Sequence, residues 1–163
     1  RFGEKSKLAG QLNNSMPARF AHVDITAETA ASFAARGLPE GKSFRRYAHY
    51  NVWRSFSGAP QDVPLALCDA TTLVAKDLMI ADALFDEPDK PDWGFDSYLI
   101  AHNPAHRWHW FPDMTRDEAI IFKTSDSEFG NPIPHVAFDN PLAPADCHPR
   151  ASIEMRAIAY WFA

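Results

Sequence analysis

The sequence predicts a mainly β protein with a few helices, built on a double-stranded β-helix of the jelly-roll, cupin-like kind. Seven short segments rich in aliphatic or aromatic residues are separated by Pro, Gly, Asp and Asn clusters, the spacing expected of paired antiparallel sheets. Most of the 13 prolines fall between those segments, as they must if strand interiors need their backbone N–H groups. Only two stretches carry a good helix signal.

Residues 1–18 are polar and irregular, ending near Pro17, and are set apart from a single jelly-roll domain over residues 19–163. The chain opens on Arg1 rather than Met, which leaves room for upstream sequence and for barrel elements not recognisable here. From Arg19 to Ile25 the residues alternate well enough for a short strand, and period-two geometry puts His22 and Asp24 on one face.

Thr26 is a plausible N-cap, Glu28 suits a first helical turn, and the alanine-rich run Ala27 to Arg36 ends at Gly37 and Pro39. The second helix signal is the Thr115-x-x-Glu118 capping-box pattern, although the apolar run Ala119 to Phe122 suits a strand equally. The expected strands are Tyr47 to Phe56, Val63 to Cys68, Ser97 to His102, Arg107 to Phe111, Ile120 to Thr124, Ile133 to Phe138 and Ile153 to Phe162. Asp82 to Asp96, acidic and proline-containing, is expected to be a surface loop.

At 163 residues, 46% hydrophobic and 13% aromatic, the chain can bury one core. With 21 acidic against 16 basic residues, its field argues against nucleic acid or anionic membrane as a partner. No apolar run approaches the ~20 residues of a membrane span. Cys68 and Cys147 lack any C-x-x-C spacing, so free thiols in a reducing cytoplasm are expected. Oligomeric state has no signature here.

His22-Val23-Asp24 together with the distant His135 makes a two-His-one-carboxylate set, the facial triad that holds Fe(II) and leaves positions open for substrate and O₂. Alone, H-x-D is a weak signal, because a His beside an Asp is often only a hydrogen-bonded pair. It gains weight from Arg150-Ala151-Ser152, which opens the last apolar segment: the dicarboxylate co-substrate 2-oxoglutarate needs a guanidinium and a hydroxyl, and an Arg fork grips a carboxylate in two places.

Alternation puts Ser152, Glu154 and Arg156 on one face with Arg150. Both arginines are therefore candidates for the co-substrate carboxylates, with Glu154 balancing charge, and an exposed Arg-Glu-Arg network is the competing reading. Asn51 shares a strand face with Trp53 and is placed to hydrogen-bond the co-substrate or an iron ligand. His102, His106 and His109 superficially suggest zinc, but the Asn-Pro between the first two favours a turn over helical i,i+4 ligation. His106, Trp108 and Trp110 are expected in barrel packing or a substrate wall.

Five segments in order resemble a known family: Asn-Val-Trp-Arg, Pro-Leu-Ala-Leu-Cys-Asp-Ala, His-Asn-Pro-Ala-His-Arg-Trp-His-Trp-Phe-Pro-Asp-Met, Asp-Glu-Ala-Ile-Ile-Phe-Lys and Pro-Arg-Ala-Ser-Ile-Glu-Met-Arg-Ala. They are similar to the CmcJ/AsaB-like hydroxylase/desaturase family, which includes cephem methoxylase-related and gibberellin desaturase-like proteins. The resemblance runs from about His22 to the C-terminus. It implies an Fe(II)/2-oxoglutarate-dependent dioxygenase of secondary metabolism that uses O₂, releases succinate, and hydroxylates or desaturates a small-molecule substrate. His22 and Asp24 match the family's His-x-Asp, His135 its distal His, and Arg150 with Ser152 its Arg-x-Ser. The competing classes are an inactive jelly-roll protein that binds a small molecule, and a cupin-type metal-dependent hydrolase or isomerase.

Overall fold

Two antiparallel sheets face each other in the computed structural model, which describes residues 1–9, 15–85 and 93–163. In chain order the elements are β1 (His22–Val23), α1 (Ala27–Gly37), β2 (Phe44–Ser55), β3 (Leu65–Cys68), β4 (Leu78–Phe85), β5 (Trp93–Ile100), β6 (Trp108–Trp110), β7 (Ile120–Asp126), β8 (His135–Ala137) and β9 (Ser152–Phe162). The larger sheet has six strands in the order β4-β5-β1-β8-β3-β6, and the smaller three in the order β7-β2-β9. Apart from the β4–β5 pair, neighbours in both sheets are not consecutive in the chain, as expected when a chain winds back and forth between the layers of a jelly roll. None of the described helices is long and apolar enough to cross a membrane.

Strand β2 is the spine of the smaller sheet, paired along nearly its whole length with β9 from Phe44–Phe162 to Ser55–Ser152. Its alternation decides the inside: His49, Asn51, Trp53 and Ser55 are buried, while Tyr50, Val52 and Arg54 between them are only half-buried. Trp53 packs with Leu65, Met114, Ile120 and Phe122 between the sheets. Truncating such a tryptophan to alanine costs about 3–5 kcal/mol.

Helix α1 begins where the sequence places it. Thr26 Oγ1 accepts the Thr29 amide at 3.2 Å, satisfying one of the orphan N–H groups of the first turn. At the other end the Tyr160 hydroxyl donates to the Ala34 carbonyl at 2.8 Å. Gly37 makes this approach possible, because a Cβ there would lie 2.9 Å from the Tyr160 oxygen.

Three expectations are corrected. The Thr115 to Glu118 pattern forms its bonds, with the Thr115 amide donating to Glu118 Oε2 at 2.7 Å, yet it closes a turn that feeds β7 and no helix follows; pairing of Ile120–Phe122 with Asn51–Trp53 outweighs the local signal. Asp82 to Asp96 is not a loop at its ends, since residues 82–85 and 93–96 pair in register across β4 and β5; residues 86–92 lie outside the described residues. The strand expected over Arg19 to Ile25 shrinks to β1, two residues held between β5 and β8. Strand β4 was missed because Leu78-Met79-Ile80-Ala81 does not alternate, and only its partner makes it a strand.

The first residues are tied to the start of β9: Phe2 bridges Ala151 and the Gly3 amide donates to the Arg150 carbonyl at 2.8 Å. The two cysteines are free, Cys68 buried and Cys147 partly so.

Candidate metal centre

Sheet register brings the H-x-D segment to the distant histidine. His22 is directly opposite His135 across the β1–β8 pair, and His135 is opposite Leu67 on β3. Opposed residues of an antiparallel pair point to the same face, and here that face is the interior, where His22, Asp24 and His135 are all buried. The two rings sit 4.2 Å apart between centroids, and Phe122 tilts against His135 from the opposite sheet at 4.8 Å.

Among the described residues these three are the one group of His, Cys, Asp and Glu whose donor atoms converge as metal ligands do, all within 4.8 Å of one another. The His22 ring is held in an orientation that suits a cation. His22 Nδ1 lies 2.9 Å from the Phe20 carbonyl; a carbonyl only accepts, so Nδ1 carries a proton and Nε2 is the ring nitrogen turned toward Asp24. That Nε2 is 3.5 Å from Asp24 Oδ1, and His135 Nε2 is 3.7 Å from the same oxygen. Both separations exceed an ordinary hydrogen bond. An ion between these atoms would meet two nitrogens and one oxygen, the donor set of a facial triad.

Protonation agrees with this arrangement. Burial pushes the His135 imidazole down to about 3, helped by the neighbouring His22, so the ring is neutral at physiological pH. Burial also resists ionisation of Asp24, but contact with His22, the nearby His135, the charge of Arg156 and the Asn51 hydrogen bond outweigh it and hold the carboxyl well below the usual carboxylate range.

The second cluster sits at the start of β9. Arg150 is buried at 2% exposure, its Nε donating to Ser152 Oγ and its Nη1 to the Val63 carbonyl, both at 3.0 Å. Its guanidinium lies 5.1 Å from the Trp53 ring centroid. Burial lowers its pKa to about 10, so it stays charged near neutrality. No carboxylate among the described residues pairs with it, an arrangement that strongly favours an incoming anion.

Arg156 is placed differently. Its Nε donates to Asp24 Oδ2 at 3.1 Å and its Nη2 to Glu154 Oε1 at 3.0 Å, so much of its fork is already engaged. Asn51 donates to the same Asp24 Oδ2 at 2.6 Å. Of the two possibilities raised for Asn51, the contact made is to the carboxylate of the H-x-D pair.

Beside Asp24 opens a cavity of about 310 Å³ walled by Phe33, His49, Asn51, Trp93, Phe95 and Arg156 among others. It lies toward the His49 end of β2, whereas Arg150 lies toward the Ser55 end, with Asp24 between. Phe33, His49 and Phe95 escaped the sequence reading; the odd-numbered alternation of β2 through Asn51 pointed to His49, but nothing local joined a helix residue and a β5 residue to it.

A larger cavity, about 580 Å³, is lined by His106, Trp108, Trp110, Val136 and Phe138. Val136 and Ala66 are paired on the face opposite to His135 and Leu67, so this cavity lies behind the six-stranded sheet. Trp108 and Trp110, paired with Cys68 and Ala66, therefore do not wall the space that holds His22. His106 makes no metal cluster: its Nε2 is 2.9 Å from Asp77 Oδ2.

Fold and donor set together define a double-stranded β-helix protein with a buried two-His-one-carboxylate centre. A family described as Oxidoreductase/YMDC permease-like domain matches residues 3–160, and the chain belongs to it. Among curated relatives, hydroxylase/desaturase efuI of Hormonema carpetanum is 28% identical over 158 residues, 89% of this chain and 52% of the relative. Hydroxylase/desaturase CTB9 of Cercospora beticola is 32% identical over 157 residues, 89% of this chain and 48% of the relative. Among solved structures, the iron and alpha-ketoglutarate-dependent endoperoxidase NvfI superposes with a TM-score of 0.80 at 26% identity, covering 100% of this chain and 60% of that one. The hydroxylase/desaturase resemblance is borne out, and the chain spans about half the length of the curated relatives it matches.

Proposed function

We propose that the chain carries the iron and co-substrate site of an Fe(II)/2-oxoglutarate-dependent dioxygenase that hydroxylates or desaturates a small molecule of secondary metabolism. The observation that carries the reading is the buried Arg150, whose guanidinium pairs with no carboxylate among the described residues, in the same interior as the His22, Asp24 and His135 donors. A binding scaffold needs neither feature, and a cupin-type hydrolase or isomerase needs no anion-seeking arginine beside its metal.

In this reading His22, Asp24 and His135 hold Fe(II) on one side. When bound, iron with O₂ supplies the oxidising power for C–H cleavage, coupled to decarboxylation of 2-oxoglutarate to succinate. Arg150, backed by Ser152, takes the far carboxylate of 2-oxoglutarate and fixes its orientation. Trp53 and Phe122 keep the centre dry, which strengthens each polar contact within it. The substrate enters the cavity on the other side of Asp24, where Phe33, Trp93 and Phe95 give an apolar, aromatic wall. Two free thiols support a cytoplasmic setting, and the acidic charge balance supports neither nucleic acid nor an anionic membrane as partner.

The test is stoichiometric succinate release from 2-oxoglutarate on anaerobic loading with Fe(II) followed by O₂. No Fe(II)-dependent turnover, coupled or uncoupled, from a folded chain would sink the oxygenase reading; activity without O₂ would favour the hydrolase or isomerase.

A further inference from the structure

Asp24 uses its two carboxylate oxygens differently. Oδ1 faces the Nε2 atoms of His22 and His135 at 3.5 and 3.7 Å. Oδ2 accepts two hydrogen bonds from the opposite sheet, from Asn51 Nδ2 at 2.6 Å and Arg156 Nε at 3.1 Å. Asn51 and Arg156 are direct cross-strand partners on β2 and β9, so they reach the same oxygen as one rigid pair. Asn51 is 1% exposed, and Arg156 is steadied by Glu154 Oε1 at 3.0 Å.

We infer that Asn51 and Arg156 are positioning residues that occupy Asp24 Oδ2 and so restrict Asp24 to a single-oxygen metal ligand. The inference rests on the iron reading above. An aspartate carboxylate turns easily about its terminal torsion and, unrestrained, offers both oxygens to an ion. A second oxygen would take a position that a facial triad leaves open for co-substrate and O₂. With both lone pairs of Oδ2 engaged, rotation would break two hydrogen bonds, one of them to a guanidinium. The pair also ties β2 and β9 to the segment just after β1. Since Asn51 and Arg156 line the cavity beside Asp24, the same two side chains set the boundary between metal and substrate space.

The test uses Co(II), whose visible spectrum reports coordination number, titrated anaerobically into the full chain and into Asn51→Ala, Arg156→Ala, Arg156→Lys and Glu154→Gln. Partners that orient metal ligands typically contribute about 10–100-fold in affinity. Asn51→Ala and Arg156→Ala are expected to weaken Co(II) binding within that range and to change the band pattern toward a two-oxygen carboxylate, with Arg156→Lys intermediate and Glu154→Gln mildest. A circular-dichroism melt on each variant separates misfolding from ligand loosening. If Asn51→Ala does not fold, the half-exposed Arg156 position still decides the matter. Unchanged affinity and spectrum in folded Arg156→Ala and Arg156→Lys would overturn the clamp. Failure of the wild-type chain to bind Co(II) at all would instead overturn the iron reading beneath it.

Discussion

The described residues hold two buried His–Asp arrangements, and their contrast is instructive. At Asp77 every contact is a completed hydrogen bond: Oδ2 is 2.9 Å from His106 Nε2, both oxygens accept from Asn103 Nδ2 at 3.1–3.3 Å, and the Val74 amide donates at 3.2 Å. At Asp24 one oxygen is equally satisfied while the other faces two imidazole nitrogens at distances too long for good hydrogen bonds. The first arrangement is complete without an ion and anchors the loop before β6. The second leaves two imidazole nitrogens facing one carboxylate oxygen without a completed hydrogen bond among them, the arrangement in which a cation would be held. Residue types alone do not mark a metal centre; the unfilled acceptor geometry does.

The sharpest way to break this comparison is to remove one histidine from each region. His135→Ala should weaken Fe(II) or Co(II) binding by more than the ~10–100-fold typical of outer partners, whereas His106→Ala should leave metal affinity within about twofold while lowering the melting temperature by several degrees, as loss of a buried hydrogen bond does. Equal metal loss in both variants would erase the distinction. Next in size, Arg150→Ala should raise the apparent Kd for 2-oxoglutarate at least about 30-fold, the equivalent of the lower end of 2–5 kcal/mol for a lost charge contact. If Arg156→Ala has that effect and Arg150→Ala does not, the co-substrate roles of the two arginines are exchanged.

A smaller effect concerns pH. Burial works against the Asp77 carboxylate, but the Val74 amide, His106 and Asn103 outweigh it and lower its pKa. A carboxylate held lower in the folded than in the unfolded chain contributes stability that is fully present above its ordinary value of about 4 and is lost as pH falls through the folded value. Thermal melts of wild type should therefore lose stability below about pH 4, and Asp77→Asn should be less stable at neutral pH and flatter with acid. An Asp77→Asn melt with the wild-type pH slope would remove Asp77 from that role. The smallest expected change is in Trp108→Ala, which opens the cavity behind the sheet: succinate release should stay near wild type, while Phe95→Ala in the inner cavity should raise the substrate KM.

Much of the candidate site was visible in residue order because its parts are local motifs, His22-x-Asp24 and Arg150-x-Ser152, even though Asp24 follows the end of β1 and Arg150 precedes the start of β9. Helix α1 was equally legible from Thr26 and Gly37. The Thr115 to Glu118 turn and strand β4 were not, since in both the deciding interaction is with a partner strand distant in sequence. The aromatic motif around His106 was conspicuous in sequence yet lies behind the sheet, because alternation puts Trp108 and Trp110 with Ala66 and Val136, away from His135.

The sequence by itself determined the β-rich class, the residue types of the candidate metal and anion sites, and the family, for these reside in short-range pattern and chemical identity. Only the tertiary structure decided which Asp24 oxygen is available, that Arg156 serves Asp24 while Arg150 has no carboxylate partner among the described residues, and which of two cavities adjoins the centre. Those outcomes depend on register between strands far apart in the chain, and a shift of one residue would turn Asn51 or Arg156 to the opposite face.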